Sequence, residues 1–403
     1  MLTTILYRSH LHNHVPINMI QEMVNKANDS NQLCGVTGIL LFDGLHFFQL
    51  LEGPDAAVKE IYHRIGIDSR HHNLVTLMQD VAPARRFGNV GMELFDLREH
   101  DKADALQAIL DKTTYRYSLT YKDRAIQFLR TFLEARDRDH YFEIPAANTW
   151  DFATDETNAR LLSHSVDTTM DCQFAFQPIL DPFSRRVTSY EALIRTPTGG
   201  SPEEYFAAYD NEAIYHADIQ SKRLVFSVAQ ALGIGEQRIS INLLPMSLVK
   251  VPNAVEFLLA EIAANGLIPQ QVIVEVTENE IISRTDEFSA QVRKLKAAGI
   301  SLALDDFGSG FAGLSLLSKF QPDKIKIDRE IISDVHKSGP KQAIVHAIIK
   351  CCSSLEIAVI AEGVEKAEEW MWLEAAGISQ FQGYLFARPL LNGFPAVAWP
   401  EIK

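Results

Sequence analysis

The sequence predicts a mixed α/β protein with an N-terminal ferredoxin-like α+β domain, a helical connector and a C-terminal (β/α)8 barrel-like domain. Two observations carry this prediction. Near the N-terminus, short apolar strands and two amphipathic helices follow one another in the order β-α-β-β-α-β. After about Asp171, single strands alternate regularly with single helices. The length of 403 residues also exceeds that of one typical domain.

Composition excludes several classes of protein. Hydrophobic residues make up 47% and charged residues 22% of the chain, as in ordinary globular proteins. A formal net charge of −14 argues against nucleic-acid polymers as partners, but not against a small anionic ligand. No apolar run reaches the roughly 20 residues of a membrane span, and Met1–His10 lacks the apolar core of a secretory signal. We therefore expect a cytoplasmic protein with no membrane partner, whose four cysteines are reduced, buried thiols.

The N-terminal domain is expected to occupy residues 1–97. Asp43-Gly44 is a hairpin signal between two apolar runs, and Gly53-Pro54 ends the second of them. The expected strands are Leu2–Arg8, Val36–Phe42, Leu45–Glu52, Leu74–Val81 and Val90–Leu97, and the expected helices are Pro16–Asn28 and Asp55–Ile65.

A few polar side chains in this domain suggest a ligand. Tyr7 and Gln49 fall in central strands and are expected to point towards the same helix-covered face. A phenol beside a carboxamide can hydrogen-bond to the edge of a ligand, and a carboxamide can reverse its donor and acceptor ends. Asn31 and Gln32 follow the first helix, and Met92 lies in the last strand.

Together with the runs LCGVTGILLF and FFQLLEGP, these residues resemble the BLUF family of blue-light sensors. The resemblance implies FAD, held noncovalently between the two helices by Tyr7, Asn31, Gln32, Gln49 and Met92. It also implies that light draws an electron from Tyr7, that Gln49 then changes its hydrogen bonds, and that Met92 reports the change to the sheet.

The chain departs from some members of this family at one position. They carry a tryptophan two residues before the methionine, and here that residue is Val90. The departure speaks against a tryptophan-gated signal and leaves flavin binding as expected.

Residues 98–165 are interpreted as a helical connector. Ala103–Lys112 and Arg124–Asp139 have helical periodicity, and the stretch is densely charged. Such a charge run is typical of a solvated helical face, and its place between two domains also suggests a coupling or dimer-forming role. Pro145–Thr157 is a polar breaker segment and a natural boundary.

Residues 166–403 form the predicted barrel. A doubly wound open sheet is the alternative, but no glycine-rich phosphate loop follows the first strand. The expected strands are Gln173–Pro178, Val187–Arg195, Ile239–Leu243, Val272–Val276, Ser301–Leu304, Lys324–Ile327, Ala358–Ala361 and Ile378–Gln382. The expected helices include Glu212–Leu232, Val255–Asn265, Glu287–Ala298 and Lys341–Ser354.

Polar groups stand near the ends of seven of these strands, where barrel active sites gather. Burying several unpaired carboxylates is costly, so a cation site is the economical explanation. Oxygen ligands favour Mg²⁺ or Mn²⁺, and the number of carboxylates suggests two ions, an arrangement suited to attack of water at phosphorus. The groups are Glu191, Asn242, Glu275, Asp305 with Asp306, Lys326, Glu362 and Gln382.

The surrounding motifs resemble the EAL family of cyclic di-GMP phosphodiesterases. They read EALIR from Glu191, SINLLP, VEVTE, DDFGSG, KIKID, AEGVE and QGYLFARP. The resemblance implies a first metal bound by Glu191, Asn242, Glu275 and Asp305, and a second bound by Asp305, Asp306 and Glu362.

The resemblance also assigns roles beyond the metals. Arg195 matches a phosphate contact, Gln382 a water-positioning or indirect contact, and Glu278 a brace for the loop after Asp306. Lys326 either orients or deprotonates the attacking water, or acts electrostatically. The catalytic set implied is Lys326, Glu191 and Glu362.

The sequence as a whole predicts a blue-light-regulated phosphodiesterase that cuts cyclic di-GMP to linear pGpG. The alternative is a cyclic di-GMP receptor that senses light but does not cut its ligand. A homodimer is implied by the resemblance, through a helix around Lys319–Asp334 and the connector.

Overall fold

The computed structural model describes residues 2–82, 85–87, 90–99, 102–111, 123–135, 138–162, 171–210, 212–277, 285–310 and 313–403. The chain forms two compact units. The first contains Met1–Ile144 and Asp334–Ala343, and the second contains Pro145–Ser333 and Ile344–Lys403. Across the described ranges, no helix is both long enough and apolar enough to cross a membrane.

The first unit is built on a five-stranded sheet in the order β4-β1-β3-β2-β5. The first four strands pair antiparallel as the ferredoxin-like order requires, and β5 joins β2 in parallel at the edge. The strands are β1 (Leu2–Leu11), β2 (Thr37–Phe42), β3 (His46–Pro54), β4 (His71–Ala82) and β5 (Glu93–Asp96), and the helices are α1 (Ile20–Leu33), α2 (Asp55–Gly66), α3 (Lys102–Asp111) and α4 (Arg124–Leu133).

Helices cover both faces of this sheet. Apolar residues of α1 and α2, such as Val24 and Val58, pack against one face with Ile5 and Tyr7 of β1. Residues of α3 and α4 pack against the other face, where alternation along β1 places Leu6. The two helices of the expected connector therefore belong to the core of the first unit.

Several boundaries differ from expectation. The last strand is confined to β5, so Met92 lies just before it and not within it. Helix α4 ends at Leu133 because Ala135 takes the left-handed conformation, with φ of 58°, which stops the expected continuation. Cys34 was expected to be buried, but it lies exposed in the turn after α1.

A segment from the C-terminal half of the sequence, Asp334–Ala343, belongs to the first unit. Buried Arg8 of β1 donates a hydrogen bond from Nη2 to Gln342 Oε1 at 2.9 Å. A parallel β-bridge joins Thr76 of β4 to the segment. Gly339 approaches so closely that a Cβ there would stand 2.9 Å from the Thr76 carbonyl oxygen. No local sequence pattern indicates this contact.

A cluster of histidines on the first unit makes its stability sensitive to acid. Burial, with neighbouring His46, Arg8 and His72, lowers the pKa of His10 to about 3. In the unfolded chain His10 takes up a proton below its ordinary pKa of 6.5, whereas the folded unit resists protonation. Stability is therefore fully present above that value and is lost as the pH falls towards the folded pKa.

We expect the free energy of unfolding of the first unit to decrease as the pH is lowered from 7 to 5, and His10→Phe to make this decrease smaller. Hydrogen exchange of the β1 amides at several pH values would measure the free energy, with exposed His63→Phe as the control. An unchanged pH profile in the His10 variant would contradict the assignment.

The second unit is a closed barrel. Strands β8 to β15 follow one another around the sheet, and β15 also pairs with β8. The barrel strands are β8 (Gln173–Asp181), β9 (Arg186–Arg195), β10 (Arg238–Asn242), β11 (Val272–Thr277), β12 (Ser301–Phe307), β13 (Lys324–Ile327), β14 (Ala358–Ala361) and β15 (Gln380–Phe381). A short strand, β16 (Leu390–Leu391), joins the same sheet by pairing antiparallel with β8. Two further pairs lie outside this sheet: β6 (Trp150–Asp155) with β18 (Val397–Ile402), and β7 (Arg160–Leu161) with β17 (Gly393–Phe394).

Helices separate most of the barrel strands. They are α5 (Pro202–Phe206), α6 (Ala213–Ala231), α7 (Pro245–Lys250), α8 (Ala254–Ala264), α9 (Thr285–Ala297), α10 (Gly313–Phe320), α11 (Arg329–Ile332), α12 (Gly339–Ser354) and α13 (Ala367–Ala375). The expected barrel-like fold is confirmed. One pair of strands breaks the alternation: β8 and β9 form an antiparallel hairpin joined by a short turn, so β8 runs against its neighbours.

The expected helix at Lys319–Asp334 is wrong. Helix α10 ends near Gln321, whose φ of 42° is left-handed and which precedes Pro322. The segment then enters β13 and a single turn of helix, α11. The strand expected at Lys324–Ile327 is confirmed, and its alternating KIKI sequence suits a buried strand better than a helix.

Candidate functional site

The carboxylates predicted from the strand ends converge in the barrel. Asn242 and Glu275 are direct neighbours in the register of β10 and β11, and Ser240 of β10 pairs with Glu191 of β9. Asn242 Nδ2 donates to Glu191 Oε1 at 2.7 Å. Glu191 and Glu275 are both buried. The parallel register from β9 onward therefore delivers these side chains to one place.

Lys326 of β13 lies at the centre of this group and is fully buried. Its Nζ lies 2.7 Å from Glu275 Oε2, 3.1 Å from Glu191 Oε2 and 3.2 Å from Asp305 Oδ1, and it also pairs with Glu362. Burial by itself lowers the pKa of a lysine, but the four carboxylates outweigh it and hold the pKa of Lys326 well above its ordinary value.

Asp305 and Asp306 converge because β12 bulges there. Leu304 pairs with Ile325 and Phe307 with Ile327, so both aspartates stand opposite the single residue Lys326. Asp306 takes a left-handed φ of 52°. The strand was expected to end at Leu304; it continues to Phe307, and the bulge replaces the expected bend.

The carboxylates form two overlapping groups with Asp305 in common. One contains Glu191, Glu275 and Asp305, and the other contains Asp305, Asp306 and Glu362. Within each group the oxygen atoms lie within 4.8 Å of one another. These are the groupings that the sequence suggested for two ions. Asp305 belongs to both groups, so its carboxylate is placed to contact both ions.

The electrostatics of the cluster fit a cationic ligand. Burial and then neighbouring Asp305 raise the pKa of Asp306 to about 6, and burial raises the pKa of Glu275 to about 8 against the pull of Lys326. Burial and Asp305 also raise the pKa of Glu362 well above its usual value. Glu275 Oε1 is buried and no described group donates to it. A divalent cation would stabilise the ionised carboxylates and would give the buried Glu275 oxygen a partner. The residues present therefore fit the metals that the family implies.

The remaining predicted residues of this site lie around the cluster. Gln382 is buried and donates from Nε2 to Glu191 Oε2 at 2.7 Å. Arg195 is half-buried at the end of β9, where its guanidinium bonds to the Ile194 carbonyl oxygen. Glu278 lies outside the described residues.

A cleft in the first unit opens between α1, α2 and the sheet. Its volume is about 910 Å³, part of which is open to solvent. Apolar side chains of both helices and of β2 and β3 form its walls, and polar groups line one edge. Exposed Arg64 and Arg70 lie at the rim, where they could meet phosphates. A planar aromatic ring with a polar edge and a phosphate tail fits this distribution.

The polar edge of the cleft is a connected set. Tyr7 and Gln49 face each other in the register of β1 and β3, and the Tyr7 hydroxyl donates to Gln49 Oε1. Gln49 Nε2 lies 3.2 Å from Met92 Sδ. Asn31 is buried and donates from Nδ2 to the Gly91 carbonyl oxygen at 2.9 Å. The structure therefore brings these four predicted side chains together.

Gln32 is the exception among the predicted flavin residues. Its side chain is exposed at the end of α1 and does not line the cleft, because Asn31 occupies the inward-facing helical position. Asn28, which the motifs did not single out, accepts a hydrogen bond from the Met92 amide. Gly91 makes this approach possible, since a Cβ there would stand 2.3 Å from the Asn28 carbonyl oxygen.

Comparison with protein families identifies both parts of the chain. The EAL domain model matches residues 161–389, and the model for sensors of blue-light using FAD, BLUF, matches residues 2–93. This chain is a BLUF–EAL protein. Among its curated relatives, the Escherichia coli blue light- and temperature-regulated antirepressor BluF is 56% identical, with 100% of each chain covered. The E. coli cyclic di-GMP phosphodiesterase PdeR is 40% identical over 31% of this chain and 18% of its own length.

Solved structures that cover the whole of this chain share its fold. Klebsiella pneumoniae BlrP1, solved in complex with manganese and cyclic di-GMP, is 44% identical, covers 100% of both chains and superposes with a TM-score of 0.93. BlrP1 with FMN and cyclic di-GMP but no metal ions superposes with a TM-score of 0.87 and covers 100% of both chains at 40% identity. The family membership and the two-domain fold of this BLUF–EAL protein are thereby confirmed.

Proposed function

We propose that this BLUF–EAL protein is a blue-light-regulated phosphodiesterase that hydrolyses cyclic di-GMP to linear pGpG. One observation carries the proposal: two overlapping carboxylate groups share Asp305, surround Lys326 and leave a buried oxygen of Glu275 without a donor among the described residues. The set of candidate ligands is complete, and the manganese complex of BlrP1 with cyclic di-GMP is consistent with it.

The residues divide the chemistry among them. Glu191, Asn242, Glu275 and Asp305 would hold one divalent ion, and Asp305 with Asp306 and Glu362 would hold a second. When bound, the ions activate water and neutralise charge on the phosphate. The side chains named here fix the carboxylate oxygens in place through the hydrogen bonds of Asn242 and Lys326.

Lys326 and Arg195 act on the reacting groups directly in this proposal. Lys326, a buried ammonium in contact with four carboxylates, offsets part of their charge and orients the attacking water by donating a hydrogen bond. Arg195 offers a planar, two-pronged donor to a phosphate of the substrate. Glu278 is assigned indirectly, as a brace for the loop after Asp306.

The first unit would hold FAD in the cleft between α1 and α2. Tyr7, Asn31, Gln49 and Met92 form its polar edge, and Gln32 stays a prediction from the motif alone. The flavin supplies the absorption of blue light, and Gln49 responds by exchanging its bonds to Tyr7 and Met92. The homodimer expected from the resemblance also stays a prediction.

The decisive experiment measures pGpG formation by the full-length protein with Mg²⁺ or Mn²⁺, in darkness and under blue light. A rate that changes with light is expected. Equal rates in darkness and light would support the phosphodiesterase but contradict its regulation by light. A preparation that cannot take up FAD, or whose spectrum does not shift to the red in light, would contradict the sensor function.

The second candidate is a light-regulated receptor that binds without cutting. It is favoured by 56% identity over the whole chain to BluF, which is described as an antirepressor. Tight binding of cyclic di-GMP with no pGpG formed under any condition would establish this candidate in place of the enzyme.

A further inference from the structure

Two buried glutamines lie beside the carboxylate cluster, and the strand ends pointed to only one of them. Gln382 follows β15 and is 3% exposed, while Gln177 lies within β8 and is 8% exposed. Gln177 stands opposite Glu191 because β8 and β9 are antiparallel. Gln382 Nε2 donates to Glu191 Oε2 at 2.7 Å and to Gln177 Oε1 at 3.2 Å.

One backbone group determines the direction of both carboxamides. Gln177 Nε2 donates to the Ala387 carbonyl oxygen at 3.0 Å, and a carbonyl can only accept. Gln177 must therefore turn its own oxygen towards Gln382. Gln382 then faces two acceptors, Gln177 Oε1 and a carboxylate oxygen of Glu191, and must offer its NH2 group to both.

The carboxamide oxygen of Gln382 is therefore left as a hydrogen-bond acceptor with a fixed orientation. Gln382 Oε1 is buried and receives no hydrogen bond from any described residue. A buried acceptor without a donor is costly, and an O–H group placed there recovers that cost. In the proposed hydrolysis the nucleophile is a water molecule close to Glu191, and this oxygen can accept one of its hydrogens.

We propose that Gln177 is a positioning residue for the hydrolysis. It holds the Gln382 carboxamide in the one direction that keeps the NH2 group on Glu191 and presents the oxygen to the water. Gln177 is anchored to a backbone carbonyl and not to a carboxylate, so its hold on Gln382 persists when the oxygens of Glu191 are engaged by a ligand. The inference rests on the proposed function.

A double-mutant cycle tests the relay. Methionine keeps the length of glutamine and removes both its donor and its acceptor. We expect Q382M to lower kcat about 100-fold and Q177M about 10-fold, with KM for cyclic di-GMP nearly unchanged. The Q177M/Q382M double variant should match Q382M alone, because Gln177 acts through Gln382. Effects that multiply, or a raised KM in Q177M, would overturn the proposal.

A second measurement separates this inference from the proposed function. Mn²⁺ affinity, measured by calorimetry on the dark full-length protein, should fall several-fold in Q177M and no further in the double variant than in Q382M. If the wild-type protein forms no pGpG, the proposed function fails, but this affinity cycle still tests the relay. An unchanged Mn²⁺ affinity in both single variants would then overturn it.

The control is Gln380→Met, two residues before Gln382. Gln380 Oε1 accepts a hydrogen bond from buried Lys324 at 3.2 Å, so its replacement also removes an amide contact within the barrel. We expect Q380M to lower thermal stability but to leave kcat and Mn²⁺ affinity unchanged. An equal loss of kcat in Q380M would show that Q177M acts only by weakening the barrel.

Discussion

Asp305→Asn is expected to abolish hydrolysis of cyclic di-GMP, lowering kcat by about 1000-fold or more. Asp305 is the one residue that both carboxylate groups contain. Asparagine keeps the shape of the side chain but carries no charge, so both candidate ions lose a ligand at once. Initial rates of pGpG formation at saturating Mn²⁺ would measure the effect.

The same substitution should not weaken the metal-free fold. Four carboxylates surround Lys326, so removing one negative charge relieves repulsion while three partners of the ammonium remain. We expect an unfolding temperature equal to or above that of the wild type without metal, and no further rise on adding Mn²⁺. The wild type should be stabilised by Mn²⁺.

Asp323→Asn is the matched control for Asp305. Asp323 is an exposed carboxylate just before β13, at the opposite end of the strand from the cluster, where it pairs with Lys296. Its variant should keep the kcat of the wild type and its response to Mn²⁺. Turnover near the wild-type rate in Asp305→Asn would contradict the two-ion site.

Gln49→Leu is expected to abolish the response to light and to leave turnover in darkness near normal. Gln49 connects the Tyr7 hydroxyl to Met92 Sδ, and leucine fills a similar volume with no donor or acceptor. The spectral shift under blue light should disappear, and the ratio of turnover in light to turnover in darkness should become about one, because no bonds remain to exchange.

A control for Gln49 is available on another strand of the same sheet. Gln79 of β4 is exposed, and Gln79→Leu should keep both FAD and the light response. A Gln49→Leu protein that still changes its turnover with light would show that the signal leaves the cleft by another route. Loss of FAD from that variant would instead assign Gln49 to binding.

Patterns within short stretches predicted much of this protein. Alternation and turn chemistry placed Tyr7 and Gln49 on one face of the sheet, because side chains repeat every two residues along a strand. The strand-end rule for barrels gathered Glu191, Glu275 and Asp305, because parallel neighbours bring their ends to one edge. These inferences need only local geometry and a known fold class.

Contacts that depend on strand direction or on distant segments were out of reach. Gln177 was missed although it lies near the end of the strand expected at Gln173–Pro178. The structure extends β8 to Asp181 and pairs it antiparallel with β9, so Gln177 reaches the site from the middle of the strand. The pairing of Arg8 with Gln342 joins positions far apart in the sequence, with no periodic signal at either one.

The sequence by itself therefore determined which chemical groups this protein assembles: a carboxylate set with one lysine, and a tyrosine–glutamine pair at the edge of a cleft. Only the tertiary structure decided how they are directed. The bulge at Asp305 and Asp306 and the carbonyl anchor of Gln177 depend on register between strands. Register is decided by pairing across the whole sheet, and no single stretch of the chain contains that information.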